Sequence, residues 1–144
     1  MPYSPLMVNP MKAELTSVGF QELLTAEDVD RFMNDETGSS MVVVNSVCGC
    51  AAGQARPGVR LAIGSEFRPD RLATVFAGQE VEATARVRSH IADIPPSSPS
   101  IALFKGKELV YFIPRHRIES RSAQEVADDL IGAFSRFLAP EAVV

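Results

Sequence analysis

The chain has 144 residues, of which 46% are hydrophobic and 22% charged, with a formal net charge of −4. A chain of this length forms most simply one domain, and it can bury a core without disulfide staples or a structural metal. The acidic balance argues against nucleic acid and against an anionic membrane surface as partners, and no apolar run nears the roughly 20 residues of a membrane span.

The opening stretch MPYSPLMVNPMKAEL lacks the basic region, long apolar run and small-residue cleavage site of a secretory signal. The expected setting is therefore the cytoplasm, where thiols are kept reduced. There a close cysteine pair is more often catalytic or metal-binding than structural.

Taken in order, residues 1–9 hold Pro2 and Pro5 with little periodicity and read as loosely ordered. Pro10 suits a first helical position, with Met11 to Val18 behind it and Gly19 closing the helix. Thr25-Ala26-Glu27-Asp28 resembles a capping box in which Asp28 stands in for glutamate. Leu24, Val29, Phe32 and Met33 recur at helical spacing, so Thr25 to Asn34 is expected to be an amphipathic helix.

Thr37 to Ser40 reads as a loop, and the β-branched run that follows predicts a buried strand from Met41 to Asn45. The only two cysteines, Cys48 and Cys50, come next with Gly49 between them, and Ala51-Ala52 opens a helix expected to run from Cys50 to about Gly64 with a bend at Pro57-Gly58.

Leu72 to Phe76 predicts a second strand. Glu80 to Ile91 predicts a helix with Val81, Ala85 and Val87 or Arg88 on its inner face. The proline-rich stretch Ile94 to Ser100 can be neither helix nor central strand. Ile101 to Lys105 and Glu108 to Ile113 form a hairpin about Gly106-Lys107, and Pro114 stops it. The last helix is expected from Ala123 to Leu138, where Val126, Leu130, Ile131, Phe134, Phe137 and Leu138 keep a helical period.

From residue 41 the order is strand, helix, strand, helix, strand, strand, helix. That order implies a parallel pair with a right-handed crossover plus an antiparallel hairpin. It is the order of the thioredoxin fold: an α/β protein with a central mixed four-stranded sheet flanked by helices. Residues 41–138 would form this core and residues 1–40 a helical N-terminal extension, the whole 1–144 making one domain. The cysteines fall just after the first core strand, and Pro99 falls just before the first strand of the hairpin.

The stretches VVVNSVCGCAAG, VFAGQE-EATA, PSSPSIALFKGKE and FIPRHRIE together resemble the bacilliredoxins, a bacterial family with a Cys-Gly-Cys active site in a thioredoxin fold. The resemblance runs from about Pro10 to Phe137. It implies a thiol-disulfide oxidoreductase that removes bacillithiol from S-bacillithiolated proteins, as glutaredoxins remove glutathione. It implies no bound cofactor, with bacillithiol as thiol co-substrate and a bacillithiol disulfide reductase for recycling. Cys48 matches the attacking cysteine and Cys50 the second cysteine. Ser98-Pro99 matches the loop that holds a cis-proline beside the active site, where its backbone can pair with substrate, although sequence leaves Pro95 and Pro96 open as the cis position.

The chemistry of the residues runs the same way. The first turn of a helix has unpaired N–H groups and the positive end of the helix dipole, which favour thiolate, the nucleophilic form. No lysine, arginine or histidine lies between Val42 and Gln54, so the turn amides must lower the Cys48 pKa unless Arg56 or a distant residue folds close. A disulfide across one residue closes a very small, strained and easily reduced ring, and Gly49 is expected to supply the backbone angles such a ring needs.

Competing readings are two inert core cysteines, a metal site pooled from two chains, and a disulfide isomerase using the same sulfurs. Arg115-His116-Arg117 reads as a solvated turn after the hairpin, although an anion or thiol site is the sharper alternative.

Overall fold

A computed structural model describes residues 2–140. Helix α1 spans Pro5–Thr16 and strand β1 Gln21–Glu22, followed by α2 at Ala26–Asn34 and β2 at Ser39–Asn45. A π-helical turn, Ala51–Ala55, leads into α3 at Arg56–Ala62. Then come β3 at Arg71–Phe76, α4 at Val81–Ser89, the hairpin β4 at Ser100–Lys105 and β5 at Glu108–Ile113, a 3-10 turn at Arg115–Arg117, and α5 at Ala123–Phe137.

The strands form one mixed sheet in the order β1-β3-β2-β4-β5. β1, β3 and β2 run parallel, and β4 and β5 return antiparallel. β2 is central, and all seven of its residues are buried, as its unbroken apolar run requires of a strand covered on both faces. Met41 and Val43 face Leu15 of α1, Val59 of α3 and Val126, Leu130 and Phe134 of α5. Val42 and Val44 face Val29, Phe32 and Met33 of α2 and Ala83 and Val87 of α4. The strand's two-residue alternation thus divides the interior into two clusters, one on each face. α3 and α5 cross so closely that a Cβ on Gly58 would sit 2.9 Å from the Val126 side chain.

Several expectations change. The sheet has five strands and not four, because Gln21–Glu22 in the N-terminal segment pairs with β3. Two residues are too few to leave an alternating pattern. The segment expected to be loose is helical from Pro5. Ser4 caps it through its Oγ, which accepts from the Leu6 N–H at 3.3 Å, and Pro10 lies inside the helix and not at its start. Pro10 and Leu6, whose carbonyl loses a donor, are both exposed.

The bend expected at Pro57 is placed earlier, as the π-helical turn. Pro57 then falls in the first turn of α3, where a missing N–H costs little. α4 buries Ala83, Thr84 and Val87, while Val81 and Ala85 face solvent. The expected inner face therefore holds for Val87 and not for Val81 or Ala85, because too few apolar residues mark the helical period there. Other boundaries move by a residue or two: β2 takes in Ser39 and Ser40, and α3 ends at Ala62. The expected cap on α2 forms: Thr25 Oγ1 accepts from the Asp28 N–H while the Asp28 carboxylate accepts from the Leu24 N–H. The structure adds a second on α5, where Ser122 and Glu125 make a reciprocal pair.

Candidate active site

The site begins where β2 runs out. Asn45 is buried and turns the chain: its Oδ1 accepts from the Ser46 N–H at 2.9 Å. Ser46 Oγ accepts the Cys48 N–H at 3.3 Å and lies 3.2 Å from Cys48 Sγ, to which its hydroxyl donates. The Cys48 carbonyl accepts from Ala51 N–H at 3.1 Å and Ala52 N–H at 3.2 Å, so Cys48 stands at the entry of the helical segment. That is where unpaired amides and the helix dipole favour an anion.

Both cysteines are free and partly exposed, with Cys50 Sγ 2.7 Å from Cys48 Sγ. Burial pushes the Cys48 thiol up. It is outweighed by hydrogen bonds from Cys50, from the Ser46 hydroxyl and from the Ala51 and Cys50 amides, and the net shift is down. Burial, the hydrogen bond to Cys48 and the Cys48 charge push Cys50 up, against the opposing field of Arg115. The two sulfurs are therefore unequal: one is poised to lose its proton and the other to keep it.

Beneath the turn lies Arg56, 1% exposed. Its Nη1 donates to Ser46 O at 2.8 Å and to Asn45 Oδ1 at 2.9 Å, and its Nε donates to Glu14 of α1 at 2.8 Å. It touches neither sulfur in these contacts; it fixes the turn that carries them.

A groove of about 360 Å³ opens beside Cys48, with Tyr3, Gly78, Arg88, Ser98 and Arg115 on its walls. Gly78 has φ +83°, and a Cβ there would lie 3.0 Å from the Tyr3 ring, so a side chain at that position would crowd the groove wall.

Ser98-Pro99 is the cis peptide among the described residues, while Pro95 and Pro96 follow trans bonds. Ser98 shares the groove with Cys48, and Pro99 is buried behind it. Gly49 is exposed between the cysteines. Its φ is not in the positive region and a Cβ there would meet nothing within 4 Å, so the expected need for unusual backbone angles does not hold for this dithiol form.

The turn after the hairpin is more than a solvated surface. Arg115 lines the groove, donates through Nη1 to Ser98 O at 3.3 Å, and feels the charge of both sulfurs. Arg117 turns away to Tyr111 and Asp129, and His116 is exposed. Arg115 and Arg56 are the cations that the stretch around the cysteines lacks. Arg88 and Tyr3 also belong to the groove, and no local pattern pointed to either.

Among the described residues no group of three or more histidine, cysteine or acidic side chains gathers as a metal cluster, and no helix is long and apolar enough to cross a membrane.

The chain is 53% identical over 133 residues to a bacilliredoxin of Halalkalibacterium halodurans, covering 92% of each sequence. The chain belongs to the bacilliredoxin family. A bacilliredoxin of Geobacillus kaustophilus is 52% identical over 136 residues, covering 94% of each, and one of Bacillus licheniformis is 53% identical over 135 residues, covering 93% of this chain and 94% of its own. A family model described as disulphide isomerase matches residues 3–138.

Among solved structures, thioredoxin f2 of Chlamydomonas reinhardtii superposes with a TM-score of 0.55 at 15% identity, covering 85% of this chain and all of its own. A protein described as having a thioredoxin fold superposes with a TM-score of 0.61 at 15% identity, covering 78% of this chain and 94% of its own. The fold is thioredoxin-like. This bacilliredoxin is a thiol-disulfide oxidoreductase of the kind that acts in de-bacillithiolation.

Proposed function

We propose that Cys48 is the nucleophile that takes bacillithiol from S-bacillithiolated proteins, with Cys50 as its partner. The Cys48 thiolate attacks the bacillithiol sulfur of the mixed disulfide. The bond to the client breaks, the client leaves as a thiolate and takes up a proton, and Cys48 carries the bacillithiol.

Two routes regenerate the enzyme. A free bacillithiol thiolate attacks the bacillithiol sulfur on Cys48, giving bacillithiol disulfide for a disulfide reductase and returning Cys48 as thiolate. Alternatively Cys50 loses its proton and attacks Cys48 Sγ, releasing bacillithiol and leaving a Cys48–Cys50 disulfide, which two further bacillithiol thiols reduce. Both routes need a pool of reduced thiols, which fits a cytoplasmic setting.

The observation that supports this reading best is the asymmetry of the pair. The sulfur at the helix entry is stabilised as thiolate by Ser46, Cys50 and backbone amides, and the other is raised and lies 2.7 Å away. A thiolate with a lowered pKa both attacks and leaves readily near neutral pH. Ser98 and Pro99, with Gly49 at the exposed edge, are the backbone beside which the client segment would lie. We take residues 1–144 as one working domain, since the N-terminal segment adds Tyr3 to the groove and Glu14 to the anchor of the turn.

The family model's description favours a second reading, disulfide isomerisation, in which Cys48 attacks a client's own sulfur. Mass spectrometry of Cys50→Ser protein mixed with a bacillithiolated client separates the two. Bacillithiol on Cys48 with the client freed is the expected result. The client itself on Cys48 would move the isomerase reading ahead. An unmodified Cys48 with the client still capped would remove the assigned nucleophile.

A further inference from the structure

We propose that Arg88 and Arg115 form an anion subsite in the groove, holding the carboxylates of a low-molecular-weight thiol while its sulfur is joined to Cys48. The inference rests on the reading that Cys48 takes up such a thiol, and it names the feature by which that thiol is chosen.

Arg88 projects from α4, half-buried. Its Nε is buried without a hydrogen-bond partner among the described residues, and none of the ion pairs formed there includes it. Two residues earlier on the same helix, Arg86 shows the usual outcome, forked onto Asp30 at 2.7 and 2.9 Å. Nε is closed off from solvent, so a ligand in the groove would meet the terminal Nη atoms, which form no hydrogen bond among the described residues either; a guanidinium without an acceptor in a partly desolvated place is costly, and an anion there would offset its charge.

Arg115 is held from behind. Its backbone N–H donates to Ser97 Oγ at 3.2 Å, its Nε to Glu119 at 3.1 Å and its Nη1 to Ser98 O at 3.3 Å. Those bonds orient the group and leave its Nη2 without a partner among the described residues. A planar guanidinium fixed in this way suits a carboxylate better than an ammonium would.

No acidic residue lines the groove, although the chain carries 18 acidic residues against 14 lysines and arginines. The volume of about 360 Å³ lies at the lower end of the range for small-molecule sites. That size fits a small thiol rather than a folded surface.

The reaction supplies the electrostatic reason. The Cys48 thiolate, the form that attacks, offsets part of the positive charge of the groove. Attack converts that thiolate to a neutral disulfide, and the negative charge departs with the client's sulfur. Arg88 is then left with no counter-charge among the described residues, and Arg115 with Glu119 alone, at the moment the small thiol arrives. A thiol with carboxylates restores it, and a neutral one does not. The subsite would therefore stabilise the Cys48 mixed disulfide selectively. Bacillithiol meets the requirement: its carboxylates sit on a malate unit remote from its sulfur.

The test compares one client protein capped in turn with bacillithiol and with bacillithiol whose carboxylates are esterified. The wild-type protein should remove the acid form faster by on the order of tenfold, the worth of one lost charge-assisted hydrogen bond. Arg88→Gln and, separately, Arg115→Gln should each reduce that preference. Because the readout is a ratio of two caps on one protein, a general change in sulfur reactivity or a partial loss of fold cancels. No preference in the wild-type protein, or a preference intact in both variants, overturns the subsite. An equal loss on both caps also overturns it and assigns the arginines to the client. A wild-type protein that removes neither cap overturns the function on which the subsite rests, a result distinct from removal without preference.

Discussion

The two ends of the sheet each carry a cavity with arginine on its wall, and they differ in how that arginine is used. At the N-terminal end of β3 a cavity of about 410 Å³ is lined by Phe32, Asp35, Asp70 and Arg71. There Arg71 donates to the Phe32 and Asp35 carbonyls and lies 4.5 Å above the Phe32 ring, and Asp70 accepts from the Ser39 backbone and hydroxyl. Most of the polar groups of that end are spent on one another, although the buried Arg71 Nε is left without a partner. At the C-terminal end of β2 the cavity is smaller, yet it holds a sulfur biased toward thiolate and two guanidiniums with donors to spare. Volume does not separate the two ends; cations lining a groove beside a sulfur biased toward thiolate do.

The strongest way to break this contrast is Cys48→Ser. Turnover of a bacillithiolated client should vanish, and residual turnover at the wild-type rate would place the nucleophile elsewhere.

Next comes Arg56→Met, which leaves the Ser46 carbonyl, Asn45 Oδ1 and Glu14 short of a donor beneath the turn. Removing one partner of a buried ion pair costs about 3–5 kcal/mol. Glu14 is partly solvated, its side chain 39% exposed, so the expected loss is smaller, about 2 kcal/mol, read as a lower denaturant midpoint. An unchanged midpoint would show that the turn does not depend on this anchor.

A pH series sharpens the contrast between the sulfurs. Only thiolate is alkylated, so the rate rises with pH and levels off above the pKa. The first inflection should lie below that of an ordinary thiol and belong to Cys48, with the label on Cys50 appearing at higher pH. In Cys50→Ser, where a hydroxyl replaces the stronger thiol acid, the Cys48 inflection should move. Equal labelling of both cysteines across the series would remove the asymmetry.

The smallest effect is expected at the other end of the sheet. Arg71→Gln should cost about 1 kcal/mol of stability, the usual worth of a hydrogen-bonded polar group, and leave turnover near the wild-type value. A large loss of turnover there would show that the two ends are coupled.

Much of this arrangement was legible in the sequence. The β-branched run of β2, the cysteines directly after it and the proline before β4 are local patterns, and local patterns carry local geometry. The groove was not legible in the same way. Ser98 could be placed there through the proline that follows it, but Tyr3, Gly78, Arg88 and Arg115 come from separate segments and share no spacing; only the folded sheet brings them to one end. Arg115 sits in FIPRHRIE and Gly78 in VFAGQE, two of the stretches that carry the family resemblance, so a clue existed without a mechanism attached. Arg56 was named as one cation that could fold close, yet its burial could not be read from a sequence in which arginine normally marks the surface. The short β1 and the inner face of α4 were hidden for a simpler reason: one has two residues and the other has few apolar ones.

The π-helical turn between Cys50 and α3 has a consequence for how the chain can change. Arg56 N–H reaches back five residues to the Ala51 carbonyl, one residue more than an α-helix spans. The wider turn rotates less per residue, so its five-residue step brings the chain round nearly as far as a four-residue step does in an α-helix. Deleting one residue from Ala51–Ala55 would therefore close a regular helix and leave the cysteine turn close to its present orientation over α3, which is locked in place by its crossing with α5 at Gly58. The extra residue is absorbed between the sulfurs and the core, so the chain can change length at this one point and move neither.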